Sequence, residues 1–154
     1  MPGDTDVLVE FNRALARETE DRALPVGRLR RGVAAVFADS ARGFYLVAEK
    51  GGEVVGALMV TFEWSDWHNG QYWWIQSVYV RPAFRRGGVY RALHRAVKAR
   101  ARRCPEVCGF RLYVERDNRV AQAVYRRLGM AETRYLVYEE MRPAQRGKGR
   151  VPGH

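Results

Sequence analysis

Residues 81–130 of this 154-residue chain read RPAFRRGGVYRALHRAVKARARRCPEVCGFRLYVERDNRVAQAVYRRLGM. The stretch opens with a basic, glycine-containing loop at residues 85–90, between the end of an apolar strand pattern and the start of an amphipathic helix. A short apolar run follows, and then a second helical pattern that begins near Asn118. This order predicts a strand, a crossover helix and a further strand in the same sheet, followed by another helix.

The loop at residues 85–90 has the chemistry to bind phosphate. A helix N-terminus presents unpaired backbone N–H groups and partial positive charge, so it accepts an anion directly. Gly87 and Gly88 lack a Cβ and let a ligand approach the backbone, while Arg85 and Arg86 can add charge-assisted hydrogen bonds. The loop is neither a Walker A loop nor a G-x-G-x-x-G turn. Taken alone, it is explained equally well as a glycine-rich turn with solvated arginines.

The composition indicates one globular domain with excess positive charge. Hydrophobic residues make up 47% of the chain, charged residues 29%, and the formal net charge is +10 at pH 7. Such a charge suggests a polyanionic partner, either nucleic acid or a multiply phosphorylated cofactor, although a basic surface without a specific partner also explains it. The basic residues crowd the phosphate loop and the helix after it, and no RNA or DNA motif is present. Nucleic acid binding is therefore the lowest-ranked function.

The chain shows no sign of secretion, membrane insertion or metal binding. Its start, MPGDTDVLVEFN, lacks a signal-peptide pattern, and no run of about eighteen apolar residues occurs, so we expect a cytoplasmic protein without a membrane partner. Cys104 and Cys108 are the only cysteines, and their spacing lacks the second ligand pair of a zinc site. We expect no metal.

Hydrophobic periodicity predicts a mixed α/β fold with about four helices. Helices are expected at Asp4 to Glu20, from Pro25, at Val89–Arg103 and at Asn118–Leu128, and strands at Phe44–Lys50, Glu53–Glu63, Gln71–Val80, Phe110–Glu115 and Thr133–Met141. Hairpins precede the crossovers, so the sheet should be mixed and mostly antiparallel. We expect one domain over residues 1–142 and a disordered tail over residues 143–154, which are polar and glycine-rich.

Two motifs together resemble those of the GCN5-related N-acetyltransferases, the GNAT family. Arg85-x-x-Gly88-x-Tyr90 resembles motif A, whose pattern is Gln/Arg-x-x-Gly-x-Gly/Ala, and Asn118, Ala121, Tyr125 and Gly129-Met130 resemble motif B. The resemblance covers residues 44–140 by element order and is specific over residues 75–130. It implies a GNAT-like fold and an acetyl-CoA-dependent transfer of an acetyl group to a primary amine.

Two departures from the family pattern carry expectations of their own. Tyr90 stands where the family usually has glycine or alanine, which crowds the helix start near the pyrophosphate and puts the cofactor's affinity and pose in doubt. Family members usually begin with a strand before the first helix, and here only three residues precede Asp4. The first family strand therefore looks missing, which would expose a sheet edge and favour a homodimer.

The resemblance also implies which residues hold acetyl-CoA and act on it. A main-chain N–H near Val78 becomes the donor to the oxyanion, Tyr125 the general acid that protonates the thiolate, and Asn118 a contact to the pantetheine, unless Asn118 serves only as a helix cap. From spacing alone, Tyr125 would be read as a core aromatic. The full set expected at the cofactor is Val78, Tyr79, Val80, Arg85, Arg86, Gly87, Gly88, Val89, Tyr90, Asn118 and Tyr125.

The general base and the acceptor pocket have weaker signals. Glu63 ranks first as the base because it ends a predicted strand; Asp66, His68, Glu115 or a water relayed by Gln76 or Ser77 are the substitutes. The segment from Phe62 to Trp74 contains all four tryptophans, and aromatic faces beside carboxylates suit a cationic amine. We expect the acceptor to meet Trp64, Asp66, Trp67 and Gln76. A hairpin clamped by Trp64 and Trp67 explains the loop equally well, and Trp73 and Trp74 are better explained as strand residues on opposite faces.

Three readings of the function remain open at this point. The first is an N-acetyltransferase for a small cationic amine, and its variant acts on a protein lysine or N-terminal amine. The second is a non-catalytic acyl-CoA sensor, which the absence of a carboxylate at Ile75-Gln76-Ser77 mildly favours and the presence of Tyr125 disfavours. The third is the nucleic-acid-binding module.

Overall fold

The computed structural model describes residues 1–143, and it confirms a mixed α/β fold. In chain order the elements are α1 (Thr5–Glu20), α2 (Val26–Ala38), β1 (Phe44–Lys50), β2 (Glu53–Ser65), β3 (Gly70–Val80), α3 (Val89–Ala101), β4 (Val107–Leu112) and α4 (Arg119–Arg127). Short 3-10 turns lie at Pro2–Asp4 and Pro82–Phe84. The chain forms two compact units, Met1–Arg119 and a second that begins at Val120.

The first unit is built on one four-stranded sheet with the order β1-β2-β3-β4. β1, β2 and β3 form antiparallel hairpins, and β4 joins β3 in parallel. The first hairpin turns through Gly51 and Gly52, whose φ angles of 59° and 80° lie in the left-handed region that glycine adopts most readily. The parallel pair requires a crossover, which α3 supplies. The predicted mixed, mostly antiparallel sheet is thus confirmed.

Two apolar clusters lie on the two faces of this sheet. On one face, α1 and α2 pack over residues of β2 and β3 around Leu8, Phe11, Val33, Ala57 and Tyr79. On the other face, α3 contributes Leu93 and Val97 to a cluster with Leu58, Val60, Trp73 and Ile75. Strand β2 contacts both clusters, which explains why its sequence is apolar on both faces.

The N-terminal helix begins where the sequence predicts, but its cap differs. Asp4 precedes α1 as the N-cap residue, yet its side chain makes no capping hydrogen bond. The carboxylate lies 3.1 Å from the N-terminal ammonium of Met1 instead. A charge pair with the N-terminal ammonium therefore takes the place of a side-chain cap.

The region after α3 corrects two of the predicted boundaries. Helix α3 ends at Ala101, and a turn before Pro105 brings the chain into the sheet at Val107. The Gln71 N–H donates to the Glu106 carbonyl at 2.7 Å and sets the start of the parallel register. Residues 113–115, which the sequence places in the strand, lie beyond its end at Leu112 because β3 pairs with β4 only as far as Ile75.

The second unit, where it is described, contains most of α4 and a segment without regular secondary structure. A Schellman-type end closes α4: the Met130 N–H donates to the Tyr125 carbonyl and the Gly129 N–H to the Arg126 carbonyl, both at 3.0 Å, with Gly129 at a φ of 92°. Residues 131–143 belong to no helix or strand, so the predicted strand Thr133–Met141 is wrong for this chain as described. A strand requires a neighbouring backbone to pair with, and this segment has none in the sheet. The predicted tail lies, from residue 144 onward, outside the described residues.

Candidate functional site

The end of β3 contains a β-bulge at the position predicted to supply the oxyanion donor. Ala57 pairs with Tyr79 and Met59 with Gln76, so Ser77 and Val78 together face only one residue of β2. Ser77 has a φ of 51°, which is costly for a residue other than glycine. A bulge leaves a residue out of the ladder and aims its backbone groups elsewhere. The main-chain N–H of Val78 is therefore in a segment where the regular pairing is interrupted.

A second backbone distortion forms the predicted phosphate loop. After the 3-10 turn at Pro82–Phe84, Arg86 and Gly88 adopt left-handed φ angles of 66° and 82°, and α3 begins at Val89. The Gly88 carbonyl accepts the first helical hydrogen bond, from the Ala92 N–H at 3.0 Å. A Cβ built on Gly88 would have no atom within 4 Å, so the space above the loop is open. An exposed helix N-terminus with open space in front of it fits a pyrophosphate.

Arg85 and Arg86 differ in how they relate to this loop. Arg85 donates through Nε to the Val80 carbonyl at 2.9 Å and through Nη2 to the Glu18 carboxylate of α1 at 2.7 Å. Its guanidinium also lies 5.4 Å from the centroid of the Tyr79 ring. Arg86 is exposed at the tip of the loop. Both arginines are exposed, but Arg85 connects the loop to α1 through its contact with Glu18.

Arg81 is a positioning residue that the sequence analysis missed. Its N–H closes β3 onto the Val55 carbonyl at 2.8 Å, and its side chain donates to the Val54 carbonyl at 3.1 Å. The guanidinium also lies 2.9 Å from Glu10 and 3.3 Å from Glu53. One side chain therefore joins β2, α1 and the start of the phosphate loop. Its place directly before Pro82 was the only signal in the sequence.

Tyr90 and His94 form a pair under the start of α3. The Tyr90 hydroxyl lies 3.4 Å from Nδ1 of His94, and the two rings meet edge to face. His94 is 2% exposed, and its Nε2 has no hydrogen-bond partner. Burial lowers the pKa of His94, and the charge of Lys98 lowers it further. The half-buried Tyr90 ring thus packs against the neutral imidazole of His94. This contact explains how the start of α3 accommodates a large residue.

The tryptophan-rich hairpin exposes two of its four indoles. Trp64 and Trp67 are 59% and 88% exposed, and the turn between β2 and β3 spans only residues 66–69. Its structure comes from the Asp66 carboxylate, which accepts from the Trp67 N–H at 2.9 Å, and from the Ser65 hydroxyl, which lies 2.9 Å from Nδ1 of His68. The hairpin is therefore shaped by its polar residues rather than by a tryptophan clamp.

Trp73 and Trp74 lie on opposite faces of β3, as predicted. Trp73 is buried in the cluster under α3 and contacts Phe44 and Phe62. The ring centroids of Trp74 and Tyr113 lie 4.5 Å apart. Trp74 is on the face of the sheet that α1 and α2 cover near the C-terminal end of β3. Gln76 lies on that same face and hydrogen-bonds to the Thr61 hydroxyl.

Glu63, the residue ranked first as general base, is held by an arginine from β4. Arg111 Nη1 lies 2.8 Å from Glu63 Oε1, and the guanidinium covers the Tyr72 ring at 3.6 Å. Both charged side chains remain partly exposed, at 30% for Arg111 and 45% for Glu63. The sequence analysis missed Arg111, because its partner lies 48 residues earlier in the chain. The Glu63 carboxylate and the Tyr72 ring thus already bind one cation, the guanidinium of Arg111.

The motif B residues fall on both sides of residue 119, where the first unit ends in the sequence. Asn118 is exposed and immediately precedes α4 in the first unit. Ala121 and Tyr125 lie on α4 in the second unit, and both are partly buried. Burial raises the pKa of the Tyr125 phenol above its usual value of 10, so the group keeps its proton at neutral pH.

The open start of α3 at Gly88 could accept an anion. Within residues 1–143, no group of three or more His, Cys, Asp or Glu side chains could hold a metal ion. The helices of that same part of the chain include none that is long and apolar enough to cross a membrane.

Comparisons with known proteins agree with this geometry. Residues 11–130 match the family described as Acetyltransferase (GNAT) family. A possible acetyltransferase from Clostridium difficile 630 is 40% identical, with a TM-score of 0.86 over 94% of this chain and 95% of that chain. An integron cassette protein from the mobile metagenome of Cole Harbour Salt Marsh is 25% identical, with a TM-score of 0.81 over 94% and 89%.

A more distant structure shares the fold. A predicted acetyltransferase from Clostridium acetobutylicum, solved with acetyl-CoA, is 17% identical, with a TM-score of 0.76 over 91% of this chain and 92% of that chain. None of the curated proteins matches this chain at a significant level.

Proposed function

This chain belongs to the GNAT acetyltransferase family, and from that membership we propose that it moves an acetyl group from acetyl-CoA to the primary amine of a small cationic molecule. The observation that carries the proposal is the β3 bulge at Ser77 followed by the open glycine loop at the start of α3. A cytoplasmic location stays a prediction from the sequence.

The residues from Val78 to Tyr90 bind the cofactor in this proposal. The amides at the start of α3 and the exposed Arg86 hold the pyrophosphate, because a helix N-terminus and a guanidinium both favour anionic oxygen. Gly87 and Gly88 permit the approach, and Val89 and Tyr90 contribute the first helical amides. Arg85 positions the loop through Glu18 and the Val80 carbonyl. Tyr79 and Val80 extend the contact along β3, and Asn118 binds the pantetheine.

The chemistry follows from charge that develops as the amine attacks the thioester. The Val78 N–H donates to the carbonyl oxygen as it becomes an oxyanion, since a preorganised donor is most useful where charge appears. Tyr125 donates its proton to the departing thiolate, for which its raised pKa keeps the phenol protonated. Glu63 pairs with Tyr72, six residues before Val78 on β3, so it accepts the proton from the amine through a chain of waters. Arg111 orients the carboxylate for this step through one oxygen.

The acceptor amine binds, in this proposal, along the open face between Gln76 and the exposed hairpin. Trp64 and Trp67 offer aromatic faces and Asp66 a carboxylate, which together favour a cation. The contacts of Arg111 support this, because its guanidinium is a cation that already binds to an aromatic ring, Tyr72, and to a carboxylate, Glu63. The same open face would also admit a lysine side chain or an N-terminal amine of a protein.

A non-catalytic acyl-CoA sensor is the second candidate, and one observation favours it. The Glu63 carboxylate already accepts a hydrogen bond from Arg111 Nη1 at 2.8 Å, so one of its two oxygens is not available to an amine. Such a protein would bind acetyl-CoA and release no coenzyme A in the presence of any amine.

Coenzyme A release from acetyl-CoA, measured against polyamines, amino acids, aminoglycosides and lysine peptides, tests the proposal. Mass detection of the acetylated product avoids thiol reagents, which would react with Cys108. Release that depends on one small-amine class supports the proposal. Release with lysine peptides alone would indicate that the acceptor is a protein amine rather than a small molecule. Acetyl-CoA binding without any release would favour the sensor, and absence of binding would overturn both candidates.

A further inference from the structure

The segment 133–141 is the most apolar exposed part of the described chain. It reads TRYLVYEEM, and it belongs to no helix or strand. Its five large apolar side chains are between 68% and 92% exposed: Tyr135, Leu136, Val137, Tyr138 and Met141. A continuous run of this kind in solvent marks an interaction site in a soluble protein.

The sequence of the segment indicates what kind of partner it needs. Tyr135, Leu136, Val137 and Tyr138 are consecutive, so a strand formed here would present apolar side chains on both of its faces. Aromatic and β-branched residues favour strands. A strand that is apolar on both faces is typical of a position inside a sheet, with cover above and below. The segment therefore needs a strand edge beside it.

Such an edge is present on β4. In the part of the chain that the structure describes, the sheet ends at β4, whose only pairing partner is β3. Every residue of β4 is exposed or only partly buried, whereas β2 and β3 each contain several buried residues. The backbone N–H and C=O groups on the outer side of β4 are thus available to a further strand.

We propose that segment 133–141 of one copy pairs with the outer edge of β4 in a second copy, and that the exchange is reciprocal. Two identical donations related by a two-fold axis close on themselves and give a dimer. The segment spans about 30 Å at about 3.3 Å per residue, which is long enough to pair with all of β4.

The connectivity selects β4 over the other free edge, which belongs to β1. The sequence β4, α4, segment has the pattern of a crossover unit, which places its second strand beside the first in one sheet. An exchanged element takes in the partner the place that its own connectivity specifies. The Schellman-type end of α4 at Gly129 fixes the direction in which the segment leaves the helix. This proposal concerns assembly, so its outcome is independent of acetyl transfer.

Disulfide trapping in the full chain tests the pairing directly. Cys108 lies exposed on β4 and serves as the reporter in a Cys104→Ser background. Single cysteines replace Tyr135, Leu136, Val137 or Tyr138, and mild oxidation is followed by a non-reducing gel. We expect covalent dimers from alternate positions only, because successive side chains of a strand point to opposite faces and a disulfide needs Cα atoms within about 7 Å. The background without an added cysteine is the control.

The same gel contains the outcomes that overturn the proposal. A disulfide formed within one chain would mean that the segment returns to its own β4. Equal trapping at all four positions would indicate an unstructured contact, and no trapping above background would remove β4 as the acceptor.

The mass in solution provides the second test. Light scattering should give twice the mass of one chain for the wild type and a single chain for Val137→Pro, since proline removes a backbone donor and breaks the pairing. Val120→Lys, at a 75% exposed apolar position on α4, is the matched control and should stay dimeric. A monomeric wild type, or a dimeric Val137→Pro variant, would contradict the exchange. Circular dichroism establishes that the proline variant is folded, and if it is not, the trapping decides.

Discussion

The two ends of β3 are built in different ways. At its C-terminal end, the bulge at Ser77 and the turn at Arg86 and Gly88 create the site through backbone conformation, with three residues in the left-handed region. At its N-terminal end, the hairpin from Glu63 to Trp74 has regular pairing apart from the Asn69 turn, and side chains create the surface. The first region is suited to the common part of a cofactor, and the second to an acceptor that differs between enzymes.

This difference has a physical basis. Backbone amides cannot be substituted by mutation, so a site made from them keeps one ligand, whereas a site made from side chains changes its ligand with each substitution. We therefore expect cofactor binding to depend on backbone freedom at the loop, and acceptor use to depend on individual side chains at the hairpin.

Gly88→Glu should raise the Kd for acetyl-CoA by at least about 100-fold, because it combines left-handed strain with a negative charge at a helix N-terminus. Isothermal titration measures this. Gly52→Glu is the matched control, since Gly52 has a φ of 80° and equally open surroundings but lies in the first hairpin turn. If both variants bind normally, the loop is not the phosphate site.

Tyr125→Phe should lower turnover by about 100-fold or more while the Kd for acetyl-CoA stays nearly unchanged, since the variant removes a proton donor and little volume. Steady-state kinetics and titration separate the two quantities. The raised pKa of Tyr125 predicts that activity persists as the pH approaches 10. Unchanged turnover would exclude this phenol as the general acid. The proposed site would then consist only of the residues at the two ends of β3.

Glu63→Gln should lower kcat/KM for the amine about tenfold, which is less than a general base usually contributes, because one oxygen of the carboxylate already accepts a hydrogen bond from Arg111. Arg111→Gln is the control, as it breaks the pair and keeps the carboxylate. Arg111→Gln should reduce stability by only about 1 kcal/mol, the sum of an exposed ion pair and a cation–π contact. Equal losses of activity in both variants would show that the pair acts as a structural unit.

The smallest expected effect concerns His94, which lies on α3 and contacts the Tyr90 hydroxyl. Burial lowers its pKa below 6.5 in the folded state, so the unfolded chain binds a proton first as the pH falls. The free energy of unfolding should therefore be level above the usual histidine pKa and decrease as the pH falls through 6.5. Denaturant titrations at several pH values should show this slope, and His94→Leu should flatten it. His68→Gln, at an exposed histidine, should leave the slope as it is.

The loop after β3 was predictable because its signals are local. Gly87 and Gly88 stand directly before a helix start and permit left-handed backbone, and the arginines beside them supply positive charge. The predicted role for a Val78 amide fell on the bulge, although nothing in Gln76-Ser77-Val78 announces a left-handed serine. The pairing register between β2 and β3 shifts between Ala57 and Met59, and this shift imposes the conformation of Ser77. A register depends on how the strands pair in the folded protein, which the local sequence does not specify.

The acceptor end was less predictable because its pairings are distant in the sequence. Glu63 was identified, but its partner Arg111 lies on a strand that joins the sheet only through the α3 crossover. The strand predicted at Thr133–Met141 failed for a related reason. Its residues have the right propensity, yet a strand exists only where a second backbone provides the ladder, and the sequence of one segment does not contain that information.

The contact between Arg85 and Glu18 has a consequence for how the loop rests without a ligand. The Glu18 carboxylate sits 2.7 Å from the guanidinium, so it occupies the role of an anion that the protein carries with it. In a chain with a net charge of +10, this internal counterion relieves repulsion among the arginines near the loop. Because Glu18 and the Val80 carbonyl both hold Arg85, its guanidinium stays beside the loop whether or not a ligand is bound. Helix α1, far from the loop in sequence, thereby helps to fix the position of the loop.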